Sequence, residues 1–453
     1  MHRGDLAERT YDATRHAMHC NFVVVSFFAW IPVLAAQEKP PSGKDLDQLV
    51  AAFLATEATS DSGIGSGSTE RDAMLAQIAN VPPLDKSQLA TWRKKISKLW
   101  TKGRTLDSAP DNWFWPEASK KHKDKTEVEH RGRYLIGGDT SKPKGIAFAL
   151  HGGGQPDLEP DASAYGPVFA KLGFAMIAPQ ILAPNTSWTA PENEQFVLAL
   201  LDAALRTWPV DSNKVVFVGH SMGGFGSWVL GAHHADRLAA IAPSSGTPSP
   251  IRESKGGPIV DMPTGIFPSL RSVFVSVYHS RDDELAPVDD SRYAVQRLVE
   301  AKKLWGGFDH DYWEVDGRGH RDPPGGYIGQ MEKIAPRARN PVPERIVWQP
   351  DVTSKQQFYW LHWQTPALKA TVTADLDRVN NAVTVQCDQP TDGLYVLLDE
   401  RVLALDKEVV VAVNGKETFR GKVAPDLATL LLTSLHPDAK LQFVARAPAF
   451  ASH

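Results

Sequence analysis

The sequence predicts an α/β fold: a parallel sheet with helices on both faces, preceded by a helical N-terminal extension and followed by a small β-rich C-terminal domain. Three observations lead there. Between residues 144 and 315 short apolar runs alternate with stretches of helical periodicity, the rhythm of strands joined by crossover helices. Before residue 100, apolar residues recur at helical spacing. After residue 337 an alternating apolar and polar pattern takes over.

With 453 residues the chain exceeds the length at which one core usually keeps growing, so additions around a catalytic domain are expected. Hydrophobic residues at 42%, charged residues at 23% and a formal net charge of −4 describe an ordinary globular composition. No global basicity recruits nucleic acid or acidic membranes. Residues 22–36 form an apolar run after Arg15 and His16, broken by Pro32 and ending in Val33, Ala35 and Ala36. A membrane-spanning helix needs about 20 apolar residues, so residues 1–36 are expected to be a secretory signal peptide. Met18 is an alternative start. Cleavage near Ala36 removes Cys20 and leaves Cys387 as the single cysteine, on an apolar face with Val383 and Val385, where a buried thiol is expected.

The extension is expected over 37–125, with helical spacing at Leu46, Leu49, Val50, Phe53 and Leu54, a Gly/Ser-rich linker near 60–68, and a second helical stretch over 74–99. The catalytic domain is expected over 126–337. Its strands are read at 127–136, 144–150, 174–178, 215–218, 239–242, 272–278 and 311–315, with helices at 162–172, 194–207, 223–233 and 290–304. A Pro- and Gly-rich connection of roughly 25 residues follows Ser244, and long loops of this kind form either a substrate pocket or lid, or plain surface. Residues 338–453 are expected to form the β-rich domain, with strands at 358–363, 369–373, 382–387, 394–398 and 409–413, and a hairpin at Asn414-Gly415. The aromatic run Phe358 to Trp363 reads as packing rather than as a sugar platform.

Chemistry is concentrated at Gly219-His220-Ser221-Met222-Gly223, between the β-branched run 215–218 and a helix-compatible segment. Strand, sharp turn and helix present a serine hydroxyl from a strained backbone, so Ser221 is the expected nucleophile. A serine needs a base, and the base needs an orienting acid. In such sheets acid and histidine follow the serine on later loops. Asp283, after the strand at 272–278, is the expected acid, with its neighbour Asp282 the alternative. His320, in Gly317-Arg318-Gly319-His320, is the expected base; His310, before its strand, is the weaker candidate. Oxyanion donors are assigned to the backbone N–H of Met222 and of Gly152 or Gly153, in the loop His151-Gly152-Gly153-Gly154 after an earlier strand.

Over residues 126–337 the chain resembles the α/β-hydrolase superfamily. Gly219-His220-Ser221-Met222-Gly223-Gly224 looks like its nucleophile elbow, His151-Gly152-Gly153-Gly154 its oxyanion loop, and Gly317-Arg318-Gly319-His320 its histidine loop. Residues 279–287 are similar to the family pattern His-Gly-x-x-Asp-x-x-Val-Pro, which places the acid on Asp283; Ser280 for Gly and Ala286 for Val depart from it. The elbow ending Gly-Gly-Phe-Gly-Ser-Trp is similar to secreted esterases, polyester-depolymerase-like enzymes and predicted peptidases.

The expectation is thus a secreted or periplasmic serine hydrolase cleaving carboxylic esters, small or polymeric, through an acyl-enzyme. No cofactor or metal is implied, since no Cys/His zinc spacing or Gly-rich phosphate loop occurs. Neither a nucleic-acid partner nor stable membrane insertion after signal cleavage is expected. A serine oligopeptidase of the same fold and a non-catalytic polysaccharide-binding protein are the alternatives.

Overall fold

A computed structural model describes residues 40–55, 68–109, 111–115, 131–153, 163–183 and 186–450. The leader read at 1–36, the linker at 60–67 and Gly154 lie outside them.

The N-terminal part is helical as expected, with α1 (Gly43–Ala55), α2 (Ser68–Ile78) and α3 (Lys86–Trp100). Asp85 caps α3 by accepting from the N–H groups of Ser87 and Gln88, while Gln88 Oε1 accepts from Asp85 N–H, a reciprocal capping box. The extension stops earlier than the sequence suggests. Residues 111–115, inside the stretch read as extension, form β1 (Asp111–Trp115), the edge strand of the main sheet. It spans only five residues, Asp-Asn-Trp-Phe-Trp, with Phe114 buried in the core, and its place is set by pairing with β2 (Arg131–Gly138) and by Arg133 on Asp111 (2.9 Å).

The main sheet continues through β3 (Ile146–Leu150), α4 (Gly166–Leu172), β4 (Ala175–Pro179), α5 (Pro191–Thr207), β5 (Val215–His220), α6 (Met222–His233) and β6 (Ala240–Ser244). The connection after Ser244 carries a hairpin, β7 (Ile251–Arg252) and β8 (Ile259–Asp261). Then come β9 (Phe274–Ser280), α7 (Val288–Trp305), β10 (His310–Val315) and α8 (Ile328–Ile334). Strand order is β1-β2-β4-β3-β5-β6-β9-β10, antiparallel at β1, β2 and β4 and parallel from β4 to β10.

Period-two alternation divides each central strand between two apolar layers. Ile146, Phe148, Val215 and Phe217 join a core with α5, α6 and α7, whereas Ala147, Ala149, Val216 and Val218 pack with Phe169 of α4 and Met331 and Ile334 of α8. The carboxyl ends of β3, β5, β9 and β10 share one edge, where the loops bearing the chemistry emerge.

Beyond α8 the chain is β-rich as expected. One sheet joins β11 (Arg345–Trp348), β14 (Val372–Asp377), β15 (Ala382–Cys387), β17 (Val409–Val413) and β18 (Lys416–Gly421); another joins β12 (Gln357–Phe358), β13 (Leu361–Trp363), β16 (Leu394–Leu398) and β19 (Ala445–Pro448). The strand read at 369–373 begins instead at Val372, because Lys369 turns the chain at φ 67°. Asn414 and Gly415, at φ 50° and 78°, form the hairpin turn. Cys387 is buried, and burial pushes its thiol up.

This β region has no core of its own. Trp348, Trp360 and Val396 belong to the same apolar cluster as Phe148 and Phe217. The run from Phe358 to Trp363 is buried, with Tyr359 Oη donating to Ala235 O (2.8 Å) and Trp360 Nε1 to Pro343 O (2.8 Å). One helix interrupts the strands, α9 (Leu427–Leu432), whose Leu427, Leu430 and Leu431 pack with Val50, Phe53 and Ile96 of the N-terminal helices. Leu84 N–H donates to Pro425 O (2.7 Å), so the N-terminal extension docks on the C-terminal region.

Buried charges stitch these parts together. Lys355 reaches Asp236 (2.7 Å) and Arg339 reaches Asp438 (2.8 Å), while Arg339 Nη1 donates to Asp236 O (2.6 Å). Removing one partner of such a pair strands a buried charge. Arg339→Met is therefore expected to lower unfolding free energy in urea by about 3–5 kcal/mol, and Arg339→Met/Asp438→Leu to recover a large part of it. Equal losses in both variants would show that the pair is not the cause.

Candidate active site

A serine at the mouth of β5 must leave the strand and enter α6 within a single residue. Backbones approach too closely there for any side chain at the flanking positions: a Cβ on Gly219 would stand 2.4 Å from Gly223 C, and one on Gly223 1.9 Å from Leu150 O. Between them Ser221 is held at φ 58° and ψ −119°, a conformation that non-glycine residues rarely adopt. Ser221 N–H donates to Ser244 O (2.9 Å) and its carbonyl accepts from Phe225 N–H (3.0 Å), which anchors the turn to β6 and to the helix it starts.

Around the serine lie the groups named as oxyanion donors. Met222 occupies the first helical position of α6, where an N–H has no intrahelical acceptor. A Cβ on Gly152 would stand 3.6 Å from Ser221 Cβ, and one on Gly153 3.3 Å from Met222 Cβ, so the loop after β3 runs directly beside the elbow. His151 shapes that loop. Its Nδ1–H donates to Gly152 O (2.7 Å), its Nε2 accepts from Ile181 N–H (3.2 Å), and its carbonyl accepts from Trp188 Nε1 (3.0 Å). Burial holds the His151 imidazole below its usual pKa, consistent with a neutral ring in that tautomer.

The two adjacent aspartates divide their tasks. Asp283 Oδ2 accepts from His320 Nδ1 at 2.8 Å, its side chain fully buried. Asp283 Oδ1 accepts from the N–H groups of Leu285 (3.0 Å) and Ala286 (2.9 Å). Burial alone would raise the Asp283 carboxyl, but the Ala286 amide and the His320 imidazole more than offset it, and its pKa falls below the usual range. Asp282 points elsewhere: its Oδ1 accepts from the Ser280 hydroxyl and from the N–H groups of Gly317 (3.1 Å), Arg318 (3.2 Å) and Gly319 (3.1 Å). The Ser280 hydroxyl and the Gly319 amide bring its pKa down to about 2. One carboxylate thus holds the imidazole, and the other holds the backbone that carries it.

His320 uses Nδ1 on Asp283, and its Nε2 has no hydrogen-bond partner among the described residues. Its ring stands 4.7 Å from that of His220, the residue before the serine, so the histidine loop reaches the elbow. Ser221 and His320 share this edge of the sheet but make no hydrogen bond to each other. His310 begins β10 at the opposite end of the strand and is bonded to Phe308 O (2.8 Å), away from these groups.

Residue-level reading missed some of the support. His279, buried in β9, places Nε2 on Ala286 O (2.8 Å) and 3.2 Å from Asp283 Oδ2, with Nδ1 on the Ser291 hydroxyl (2.6 Å). Its place before the acid in the family pattern is the signal that marks it. Gly246 opens the connection after β6, where a Cβ would stand 2.0 Å from Ser221 O. The rest of that connection folds over α7, with Tyr293 Oη donating to Val260 O (3.0 Å) and Arg252 paired with Asp290. It borders an open depression of about 580 Å³ that contains none of the site residues. Beside His220 and Gly152 lies a smaller cavity of about 180 Å³, also lined by Tyr165, Asp322 and Tyr327. Among the described residues no cluster of three or more His, Cys, Asp or Glu side chains could hold a metal ion.

No family model matches the chain, and no curated protein matches it. Among solved structures, a thermostable esterase is similar at 21% identity, over 48% of this chain and 62% of its own length, with a TM-score of 0.36. A ferulic acid esterase is similar at 17% identity over 50% of this chain and 95% of that one, with a TM-score of 0.36. The corresponding figures for FphF, a fluorophosphonate-binding serine hydrolase of Staphylococcus aureus, are 15%, 50%, 96% and 0.35.

The backbone at Ser221 yields its own test. Glycine adopts this conformation freely, so Ser221→Gly is expected to release about 1–3 kcal/mol of strain and raise the calorimetric melting temperature, whereas Ser221→Ala is not. Equal melting temperatures for the two variants would show that the turn is unstrained. Strand order, the single-residue turn from β5 into α6, and the later loops converging on that turn give this chain the α/β-hydrolase fold.

Proposed function

We propose that this protein is an exported serine hydrolase that cleaves carboxylic esters through an acyl-enzyme. The observation that carries the reading is the buried Asp283 carboxylate on His320 Nδ1, on a loop that contacts the residue preceding a serine held at φ 58°. A carboxylate there fixes the tautomer that leaves Nε2 basic.

Ser221 Oγ gives its proton to His320 Nε2 as it attacks the ester carbonyl carbon. The carbonyl π electrons move to oxygen, and the N–H groups of Met222 and of Gly152 or Gly153 hold the oxyanion, a contribution of about 3–4 kcal/mol per donor in such sites. Collapse of the intermediate breaks the acyl C–O bond, and His320 delivers its proton to the departing alkoxide. Water then gives a proton to His320 and attacks the acyl carbon, and Ser221 leaves with the proton from His320. Asp283 stays ionised throughout and stabilises the imidazolium. Its lowered pKa supports that role.

Export rests on the leader at residues 1–36. A polysaccharide-binding role for the C-terminal region finds no support in the run from Phe358 to Trp363, whose rings are buried.

Turnover of matched esters and peptidyl amides by wild type and Ser221→Ala tests the reading. Short-chain or aromatic esters are expected to be cleaved faster than amides, with kcat about 10⁶ lower in Ser221→Ala and in His320→Ala. Asp283→Asn is expected to cost about 10⁴ and Asp282→Asn no more than about 10². Faster amide cleavage would make the enzyme an oligopeptidase, and a larger loss in Asp282→Asn would move the acid by one residue.

A further inference from the structure

Resting on the reading of Ser221 as nucleophile, we propose that His220 and the cavity beside it form the subsite that selects the ester, favouring a compact group that bears an oxygen atom. The cavity lies at the carboxyl ends of β3 and β5, over Ala149 and Leu150, and between the start of α4 and the start of α8. It borders the reacting atoms through two residues. Gly152 is one, its Cβ position 3.5 Å from His220 O and 3.6 Å from Ser221 Cβ, and His220 is the other. A group attached to a carbonyl carbon on Ser221 therefore has this space next to it.

Size sets the first limit. About 180 Å³ is on the order of six water molecules at their liquid share of about 30 Å³ each, room for a compact group. Tyr165 and Tyr327 close one side as a stacked pair, with ring centroids 4.2 Å apart and planes at 24°, and Tyr327 Oη is fixed on Asp322 Oδ1 (3.1 Å). That wall is braced, so the space does not widen by a simple rotation of either ring.

Chemistry sets the second limit. His220 Nε2 is buried and has no hydrogen-bond partner among the described residues. Buried polar atoms are nearly always paired, and an unpaired one on a residue that lines a cavity next to Ser221 is a partner for a substrate atom. Burial and the neighbouring His320 ring bring the His220 pKa down to about 4, so the imidazole is neutral and adds no charge against an imidazolium on His320. A neutral imidazole pairs with an ether, hydroxyl or carbonyl oxygen. A purely hydrocarbon group of the same size would fill the cavity and leave the nitrogen unpaired, at the cost of one hydrogen bond.

Isosteric ester pairs isolate that hydrogen bond. On the acyl side the pair is p-nitrophenyl methoxyacetate and p-nitrophenyl butanoate; on the alcohol side it is methoxyethyl acetate and butyl acetate. The oxygen-to-methylene ratio of kcat/KM is measured in wild type, His220→Leu, His220→Ala and His220→Gln, so that intrinsic reactivity cancels between proteins. In one of the two arms the ratio is expected to fall about five- to tenfold in the Leu and Ala variants and to recover in His220→Gln, and the arm that responds identifies which half of the ester enters the cavity. Ratios unchanged in both arms, with Ser221 still labelled by a fluorophosphonate, would overturn the proposal while leaving the hydrolase reading intact. Labelling lost in both truncated variants but present in wild type would make His220 a structural support and would also overturn it. Wild-type protein that folds but is never labelled would defeat the hydrolase reading itself, and this inference with it.

Discussion

A single backbone conformation governs this molecule. Ser221 leaves β5 at φ 58° and enters α6 at the next residue, and it is kept there because Gly219, Gly223 and Leu150 O are in contact with no room for a side chain. The cost of such a turn, about 1–3 kcal/mol, must be met by surrounding structure. Here that structure is the central sheet, whose strands divide their side chains between two apolar layers and so resist any shift of β3 against β5. The same constraint starts α6 at Met222, directly after the serine, where the first N–H groups have no intrahelical acceptor.

Electrostatic order follows from that geometry. A buried carboxylate is costly unless hydrogen-bonded, and Asp283 is satisfied by two backbone amides and the His320 imidazole. Asp282, one residue away and exposed, spends its charge on three backbone amides of the histidine loop. Neither carboxylate can replace the other, since one orients a ring and the other sets the loop that presents it. His151 and His279 are fixed neutral groups in the second layer, each braced through both ring nitrogens.

Much of this was legible in the sequence for physical reasons that are local. Buried parallel strands need continuous apolar runs, and a serine on a one-residue turn needs flanking glycines, so β3, β5, β9 and the elbow stand out. Features that depend on distant partners do not. β1 is a five-residue stretch, Asp-Asn-Trp-Phe-Trp, and its place at the sheet edge is set by its pairing with the distant β2. The β-rich region looks like a separate appendage because alternation reports a face, not what covers it; in fact Trp348 and Trp360 complete the core around Phe217. Two consecutive aspartates cannot be ranked by composition, whereas the turn places them on different partners. The motif does not single out His220, because its unpaired buried nitrogen and the cavity it lines exist only in three dimensions.

The proposed function requires that the strained serine, and no other nucleophile, carry the acyl group. Peptide mass spectrometry of full-length protein after reaction with a fluorophosphonate measures this directly. One phosphonyl adduct is expected, on Ser221, formed rapidly in wild type and strongly slowed in His320→Ala. An adduct on another residue, or equal rates in the two proteins, would contradict it.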